Sequence, residues 1–169
     1  GRYYMPNQYD NPNNPLAHEL TTGPEIMTQT GGALTHFVAG MGTGGTLMGT
    51  AAYLKKQAPN VQVVGIEPNL GHAIQGLKNM QEAIVPAIYH ENQLDRKLVI
   101  DDDTAFETAR QLAAQEGIFC GMSGGAAMAG AFQLAQELEH GTIVVIIPDR
   151  GDRYLSTNLF KSMCANCPP

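Results

Sequence analysis

The sequence predicts an α/β domain of three layers, in which a mostly parallel, twisted sheet carries helices on both faces. Three observations support this fold class. Short apolar, β-branched runs alternate with segments whose apolar residues recur at helical spacing. The runs are continuously apolar, as expected of parallel strands that are covered on both sides. Two glycine-rich loops each connect an apolar run to a helix, as in sheets that bind ligands at their carboxyl edge.

Four segments predict strands because they are short, apolar and rich in β-branched residues. The segment TIVVII has the most uniform composition of the four. Residues 68–92 show neither strand nor helix periodicity and predict irregular structure. The predicted strands are, in chain order, residues 35–40, 61–67, 97–100 and 142–147.

Four segments predict helices because their apolar residues recur every three or four positions. Residues 6–16 are rich in Pro, Asn and Asp and predict turns before the first helix, which we expect to be interrupted at Gly23-Pro24. The run Asp101–Asp103 provides a cap and acidic first-turn residues for the third helix, as the helix dipole favours. The predicted helices are, in chain order, residues 17–30, 46–57, 104–115 and 126–138.

Composition and charge exclude several classes of function. The net charge is −6 and the ten Lys and Arg residues are scattered, so no nucleic-acid surface is predicted. No run of eighteen apolar residues occurs, so no membrane span is predicted. Three cysteines do not make a disulfide framework, which favours the cytoplasm.

We expect one domain over residues 1–160 and a tail over residues 161–169. The tail contains Cys164 and Cys167, which are half of a zinc site at most, so no metal site is predicted. The chain starts at Gly1 with neither an initiator Met nor a signal-like segment, so we interpret its start as an internal cut.

The first glycine loop predicts an anion site. It follows a predicted strand and opens a helix, where backbone N–H groups and the helix dipole favour an anion. The spacing Gly40-x-Gly42-x-x-Gly45 also fits the dinucleotide fingerprint, with Glu67 where an acidic residue would bind a ribose. Spacing alone therefore leaves both kinds of site open. The candidate residues are Gly42, Thr43, Gly44, Gly45 and Thr46.

The second glycine loop, Gly121–Gly125, places Ser123 between an apolar segment and a helix. Its hydroxyl is suited to contact a ligand at the carboxyl edge of the sheet, or to cap the helix that follows. Hydrolase chemistry is disfavoured, because the only histidine downstream is His140 at a helix end.

Four blocks of sequence, taken together, resemble the pyridoxal-5′-phosphate (PLP)-dependent cysteine synthases (O-acetylserine sulfhydrylases), the B type in particular. The match reaches to about residue 160 and implies the C-terminal part of the tryptophan-synthase-β-like, fold-type II PLP fold. The blocks are Asn11-Pro12-x-Asn14-Pro15 with Thr21-Thr22-Gly23-Pro24-Glu25-Ile26, Gly42–Thr46, Glu116–Gly125, and Asp149–Thr157.

The resemblance also implies roles for single residues. The Gly42–Thr46 loop would hold the PLP phosphate, and Ser123 would hydrogen-bond the pyridine nitrogen. Further residues would lie beside the ring or in the substrate pocket. Those beside the ring are Pro148 and Asp149, and those in the pocket are Gln8, with Tyr9 next to it, and Lys78.

The implied reaction is a β-replacement that converts O-acetylserine and sulfide to cysteine, or thiosulfate to S-sulfocysteine, in a homodimer. It needs a Schiff-base lysine and a Ser/Thr-Gly-Asn-Thr-Gly loop, which the family carries in its first half. Neither motif occurs here, so we expect no catalytic lysine in this chain and no activity from it alone. The alternatives are a Rossmann-type nucleotide-binding or regulatory module, and a related PLP enzyme such as a cystathionine β-synthase or dehydratase.

Overall fold

The structure is a computed structural model that describes residues 1–160, so the predicted tail with Cys164 and Cys167 lies outside the described residues. Its centre is a four-stranded parallel sheet with the order β3-β2-β1-β4. The predicted parallel sheet is confirmed. The strands are β1 His36–Gly40, β2 Gln62–Pro68, β3 Arg96–Ile100 and β4 Ile143–Val145.

Five α-helices connect and cover these strands within the described residues. A π-helical turn, Leu112–Glu116, extends the fourth helix, and 3₁₀ turns occupy Glu91–Gln93 and Gly151–Tyr154. None of these helices is both long and apolar enough to cross a membrane. The helices are α1 Asn13–Leu20, α2 Thr22–Gln29, α3 Gly45–Gln57, α4 Asp102–Gln111 and α5 Met122–Gln136.

The sheet is buried on both faces, because successive side chains of a strand point to opposite sides. On β1, Phe37 and Ala39 pack into a core with residues of α2 and α3, whereas Val38 packs into a second core with residues of α4 and α5. Val63 and Val64 divide between the two cores in the same way. The predicted three-layer arrangement is therefore confirmed.

The first predicted helix differs from the structure at its start and at its break. The α1 helix begins at Asn13, inside the segment predicted as turns, and Asn11 Oδ1 accepts a hydrogen bond from the Asn13 N–H before its first turn. The break falls at Thr21 and not at Gly23-Pro24. Pro24 is tolerated inside the first turn of α2, because N–H groups there have no intrahelical acceptor.

The second glycine loop is also more helical than its composition predicts. Helix α5 begins at Met122, four residues before the predicted start, so most of this loop forms its first turn. A Cβ atom at Gly125 would overlap the Ala105 carbonyl oxygen of α4. The glycine therefore permits close packing of two helices here and does not interrupt one.

Strand β4 is shorter than the predicted 142–147 and only half-buried, although its sequence is continuously apolar. It pairs with β1 on one side and forms an edge of the sheet within residues 1–160. The burial of a strand thus depends on its position in the sheet, which its own sequence does not specify.

Candidate functional site

The first glycine loop leaves the N-terminus of α3 without an internal acceptor. The chain leaves β1 at Gly40 and turns into the helix through Gly44, whose φ of 87° is readily adopted only by glycine. No acceptor within residues 1–160 pairs with the N–H groups of Thr46 or Leu47 in the first turn. Leu47 is fully buried, so its N–H group needs an acceptor other than bulk water.

Thr43 contributes a hydroxyl with a free proton to the same place. Its Oγ1 accepts one hydrogen bond from Asn14 Nδ2, at 3.2 Å, and another from the Gly45 N–H, at 3.3 Å. A hydroxyl carries one proton and two acceptor lone pairs, so both lone pairs are used and the proton remains to be donated. Asn14 is fixed in turn by a hydrogen bond of 2.8 Å to the Gln8 carbonyl oxygen.

Thr46 is held from the opposite side by His18. The Nε2 atom of His18 lies 3.1 Å from Thr46 Oγ1, and its Nδ1 atom lies 2.9 Å from Thr22 Oγ1. Burial lowers the pKa of His18 below its ordinary value of 6.5, which favours the neutral ring at neutral pH. When Nε2 carries the ring proton, it donates to Thr46 Oγ1, so the hydroxyl proton of Thr46 is free for a ligand.

Close approach to the loop depends on glycine at two positions. A Cβ atom at Gly45 would overlap the side-chain amide of Asn14, and one at Gly42 would lie 2.8 Å from the Gly76 carbonyl oxygen. A ligand can therefore approach the backbone of the loop closely and meet neutral N–H and O–H donors there. Such a donor set fits the phosphate of PLP, because an anion at a helix N-terminus is stabilised by N–H groups and the helix dipole.

A cavity of about 440 Å³ opens beside this loop and brings together four of the predicted site residues, Gln8, Gly42, Thr43 and Lys78. The Lys78 ammonium lies 5.3 Å from the centre of the Tyr9 ring, which fixes a positive charge at the wall of the cavity. The complete lining is Gln8, Tyr9, Gly42, Thr43, Gly76, Leu77 and Lys78.

Gly76 links this cavity to Ser123. Ser123 is buried, with 4% of its surface exposed, and its Oγ would lie 3.5 Å from a Cβ atom at Gly76. The N-cap residue of α5 is Gly121, and Ser123 makes no capping hydrogen bond, so the capping alternative for Ser123 is wrong. Pro148 is exposed and follows β4 directly before Asp149.

The Asp149 carboxylate occupies the N-terminus of α5. It accepts hydrogen bonds from the N–H groups of Gly121 at 3.3 Å, Ser123 at 3.1 Å and Gly124 at 2.9 Å. The two glycine loops therefore differ electrostatically. The second glycine loop, at the start of α5, already binds an anionic side chain. The first glycine loop, at the start of α3, retains free hydrogen-bond donors and is therefore the better site for a phosphate.

The dinucleotide alternative is not supported by the geometry of Glu67. Its carboxylate is 2% exposed, lies 3.0 Å from Lys97 Nζ, and accepts a hydrogen bond from the Met80 N–H at 3.3 Å. A ribose hydroxyl would have to displace these partners from a buried position. Glu67 instead fixes the segment that follows Lys78.

Sequence reasoning missed three residues of this site, namely Asn14, His18 and Tyr154, which lies against Gly121. Asn14 and His18 lie 29 and 28 residues from their partners in the glycine loop. Asn14 and Tyr154 do fall within two of the four blocks of the resemblance, which was the available signal.

Comparisons with known proteins identify the family of this chain. Residues 1–149 match the family model described as pyridoxal-phosphate dependent enzyme. The chain is 48% identical to cysteine synthase B of Pseudomonas aeruginosa over 160 residues, which cover 95% of this chain and 54% of that protein. It is 46% identical to cysteine synthase B of Escherichia coli, with 90% and 50% covered.

Solved structures give the same result. The structure of a cysteine synthase from Entamoeba histolytica has a TM-score of 0.89 and 36% identity, and the match covers 96% of this chain and 50% of that one. An O-ureido-L-serine synthase has a TM-score of 0.88 and 40% identity, with 95% and 54% covered. The chain spans about half the length of these relatives. By sequence and by fold, the chain belongs to the family of pyridoxal-phosphate-dependent enzymes.

Proposed function

We propose that this chain is the cofactor-phosphate-binding part of a cysteine synthase of the B type, which converts O-acetylserine and sulfide to cysteine by β-replacement. The observation that carries the proposal is the α3 N-terminus, where unpaired N–H groups and the Thr43 hydroxyl face no acceptor of their own within the described residues. The similarity to two cysteine synthases B supports the choice of reaction.

In this proposal, PLP supplies the electron-accepting ring that stabilises negative charge at the substrate α-carbon. The loop residues Gly42, Thr43, Gly44, Gly45 and Thr46 bind its phosphate through N–H and O–H donors. Ser123 meets the pyridine nitrogen with a neutral hydroxyl, which does not hold the nitrogen protonated as a carboxylate would.

The remaining predicted residues surround the substrate. The chain at Pro148 and Asp149 passes beside the ring. Gln8 and Lys78 line the cavity next to Thr43, so they are suited to contact the amino-acid substrate and the incoming sulfur donor. Lys78 offers a single point charge without the planar fork of arginine, so we propose sulfide as the main donor and thiosulfate as a weaker one.

The proton transfer at the substrate α-carbon requires a Schiff-base lysine, and no lysine of this sequence, Lys78 included, stands in the Ser-x-Lys motif that would identify it. We propose that this lysine, in a Ser-x-Lys motif, belongs to a segment outside these 169 residues, and that the active protein is a cytoplasmic homodimer. Purified residues 1–169 with added PLP should therefore not turn over O-acetylserine. Turnover by this chain alone would contradict the proposal.

The direct test uses the full polypeptide that the gene encodes. We expect visible absorbance of bound PLP and formation of cysteine from O-acetylserine and sulfide. Thr43→Val removes the free hydroxyl proton and should weaken PLP binding by roughly tenfold or more, because a hydrogen bond to a charged group contributes about 1.5–3 kcal/mol. Thr28→Val, at an exposed threonine of α2, is the matched control. Binding of NAD with no binding of PLP would favour the nucleotide-binding alternative.

A further inference from the structure

Helix α5 has no capping side chain of its own. Its N-cap position is Gly121, which has no side chain, and the four positions before Ala126 include two further glycines. The first-turn N–H groups of a helix need acceptors, and a side chain at the N-cap usually provides one. In this chain the acceptor comes from 25–28 residues downstream, because the Asp149 carboxylate binds three N–H groups of this turn.

The carboxylate is bidentate in effect. Its Oδ1 accepts from Gly121 and Gly124, and its Oδ2 accepts from Ser123. Both oxygens are therefore engaged with the backbone around Ser123. A Cβ atom at Gly124 would lie 2.9 Å from Oδ1, so the glycine is needed for this approach.

Backbone hydrogen bonds hold the segment that contains Asp149. The Gly121 N–H donates to the Asp149 carbonyl oxygen at 3.4 Å, and the Gly151 N–H donates to the Phe119 carbonyl oxygen at 3.0 Å. These bonds fasten residues 149–151 antiparallel to residues 119–121, with a bridge between Cys120 and Arg150.

Tyr154 completes this arrangement. It is 7% exposed and packs beside the Asp149 carboxylate against Gly121, where a Cβ atom would overlap both Tyr154 Cε2 and Asp149 Oδ2. Burial, followed by the negative charge of Asp149, raises the pKa of Tyr154 to about 12. The phenol therefore stays protonated at physiological pH, so toward the neighbouring carboxylate it can act only as a donor.

We infer that Asp149 and Tyr154 are positioning residues that orient Ser123 toward the cofactor, with Tyr154 fixing the carboxylate that in turn fixes the Ser123 backbone. The inference rests on the proposed function, because it gives Ser123 its role at the pyridine nitrogen. It adds that the Asp149 carboxylate acts through Ser123 and the helix N-terminus, and that Tyr154 belongs to the site.

The charge of Asp149 has a second effect on the same atom. Helix α5 directs the positive end of its dipole toward the turn that contains Ser123, and the carboxylate compensates it. Removal of the charge leaves a positive potential there, which makes a ring nitrogen near Ser123 harder to protonate. The position of Ser123 and the electrostatic potential around it thus depend on one side chain.

The test compares Asp149→Asn and Tyr154→Phe with the wild type in the full polypeptide loaded with PLP. Asn keeps the shape but offers one acceptor oxygen, and Phe removes only the phenol oxygen. We expect kcat for β-replacement to fall by roughly 10- to 100-fold, as for other small misplacements of a site group. We also expect a shifted absorbance and emission maximum of bound PLP, with KM for O-acetylserine changed by less than about threefold.

Asp152→Asn is the matched control, since Asp152 is an exposed carboxylate of the same segment that pairs with Arg150. It should leave the spectrum and kcat unchanged. A loss of thermal stability in Asp149→Asn and Tyr154→Phe with an unchanged spectrum and unchanged kcat would overturn the inference and leave a purely structural role. If Asp149→Asn does not fold, Tyr154→Phe decides the question alone. A wild type that binds no PLP would instead refute the proposed function, which separates the two failures.

Discussion

Gly45→Ala tests whether the first glycine loop is a phosphate-binding site with fixed donors or only a tight turn. A methyl group at this position would overlap the side-chain amide of Asn14. The amide must then move away from two acceptors, the Gln8 carbonyl oxygen at 2.8 Å and Thr43 Oγ1 at 3.2 Å. We therefore expect the substitution to release the Thr43 hydroxyl from its fixed orientation.

Two effects of this substitution on stability partly offset each other. Loss of two neutral hydrogen bonds costs about 2 kcal/mol, at about 1 kcal/mol each. Replacement of glycine by alanine in a helix returns about 1 kcal/mol. The net loss in free energy of unfolding is therefore about 1 kcal/mol by these values.

The effect on PLP should be larger than the effect on stability. A misplaced hydroxyl forfeits a hydrogen bond to a charged phosphate, which contributes about 1.5–3 kcal/mol. The dissociation constant for PLP should then rise by about 10- to 150-fold. Fluorescence titration with PLP and urea unfolding of the same preparation of the full polypeptide measure the two quantities separately.

Ala52→Gly on the same helix is the control, because it should lower stability by about 1 kcal/mol without touching the loop. Equal PLP affinity in Gly45→Ala and Ala52→Gly would refute phosphate binding by the first glycine loop. So would an Asn14→Ala variant that binds PLP as tightly as the wild type, because Asn14 holds the hydroxyl in place.

Three further predictions concern residues outside the loop. Glu67→Gln should destabilise the protein by about 2 kcal/mol in urea unfolding, because it removes a charged hydrogen-bond partner of Lys97 from a buried position while Lys97 keeps Glu91. Glu91→Gln, at the exposed partner of Lys97, should change stability by less than about 1 kcal/mol. Partial burial raises the pKa of Asp95, but hydrogen bonds from Lys55 and the Val63 N–H outweigh it and bring the pKa below 3.8. As the pH falls, the unfolded chain therefore protonates Asp95 before the folded chain does. The stability that the Asp95 carboxylate contributes is complete above its unfolded pKa and is lost as the pH falls through its folded pKa. Asp95→Asn should therefore weaken the dependence of the free energy of unfolding on pH below about pH 5. Thr50→Val should stabilise the protein by about 1 kcal/mol, because Thr50 Oγ1 is buried and finds no hydrogen-bond partner among the described residues; a loss of stability would contradict this.

The strands and most helices were predictable from the sequence because their signals are local. The run at residues 61–67 is apolar and β-branched, and it forms β2 with a shift of one residue at each end. Asp101 was expected to cap the third helix, and its side chain does accept from the Thr104 N–H. Such signals depend only on neighbours within a few positions of the chain.

The start of α5 was not predictable, because its cause lies elsewhere in the chain. Gly124 and Gly125 in the first turn oppose a helix locally, and the acceptor that stabilises this turn is the Asp149 carboxylate. In the candidate site, too, local sequence predicts part of the structure and distant contacts determine the rest. Glycine spacing indicated an anion site but not which anion, since Glu67 fitted a ribose contact until its partner Lys97 was known.

The pairing of β1 has a consequence for the order of folding. Its neighbour β2 follows within a few tens of residues, but Thr35, directly before β1, forms hydrogen bonds with Thr142 across 107 residues of chain. Contacts of such sequence separation form slowly, because a long loop must close first. The pairing of β1 with β4 is therefore completed late, and β1 is the strand from which the first glycine loop begins. During refolding, secondary structure should therefore recover well before the capacity to bind a phosphate.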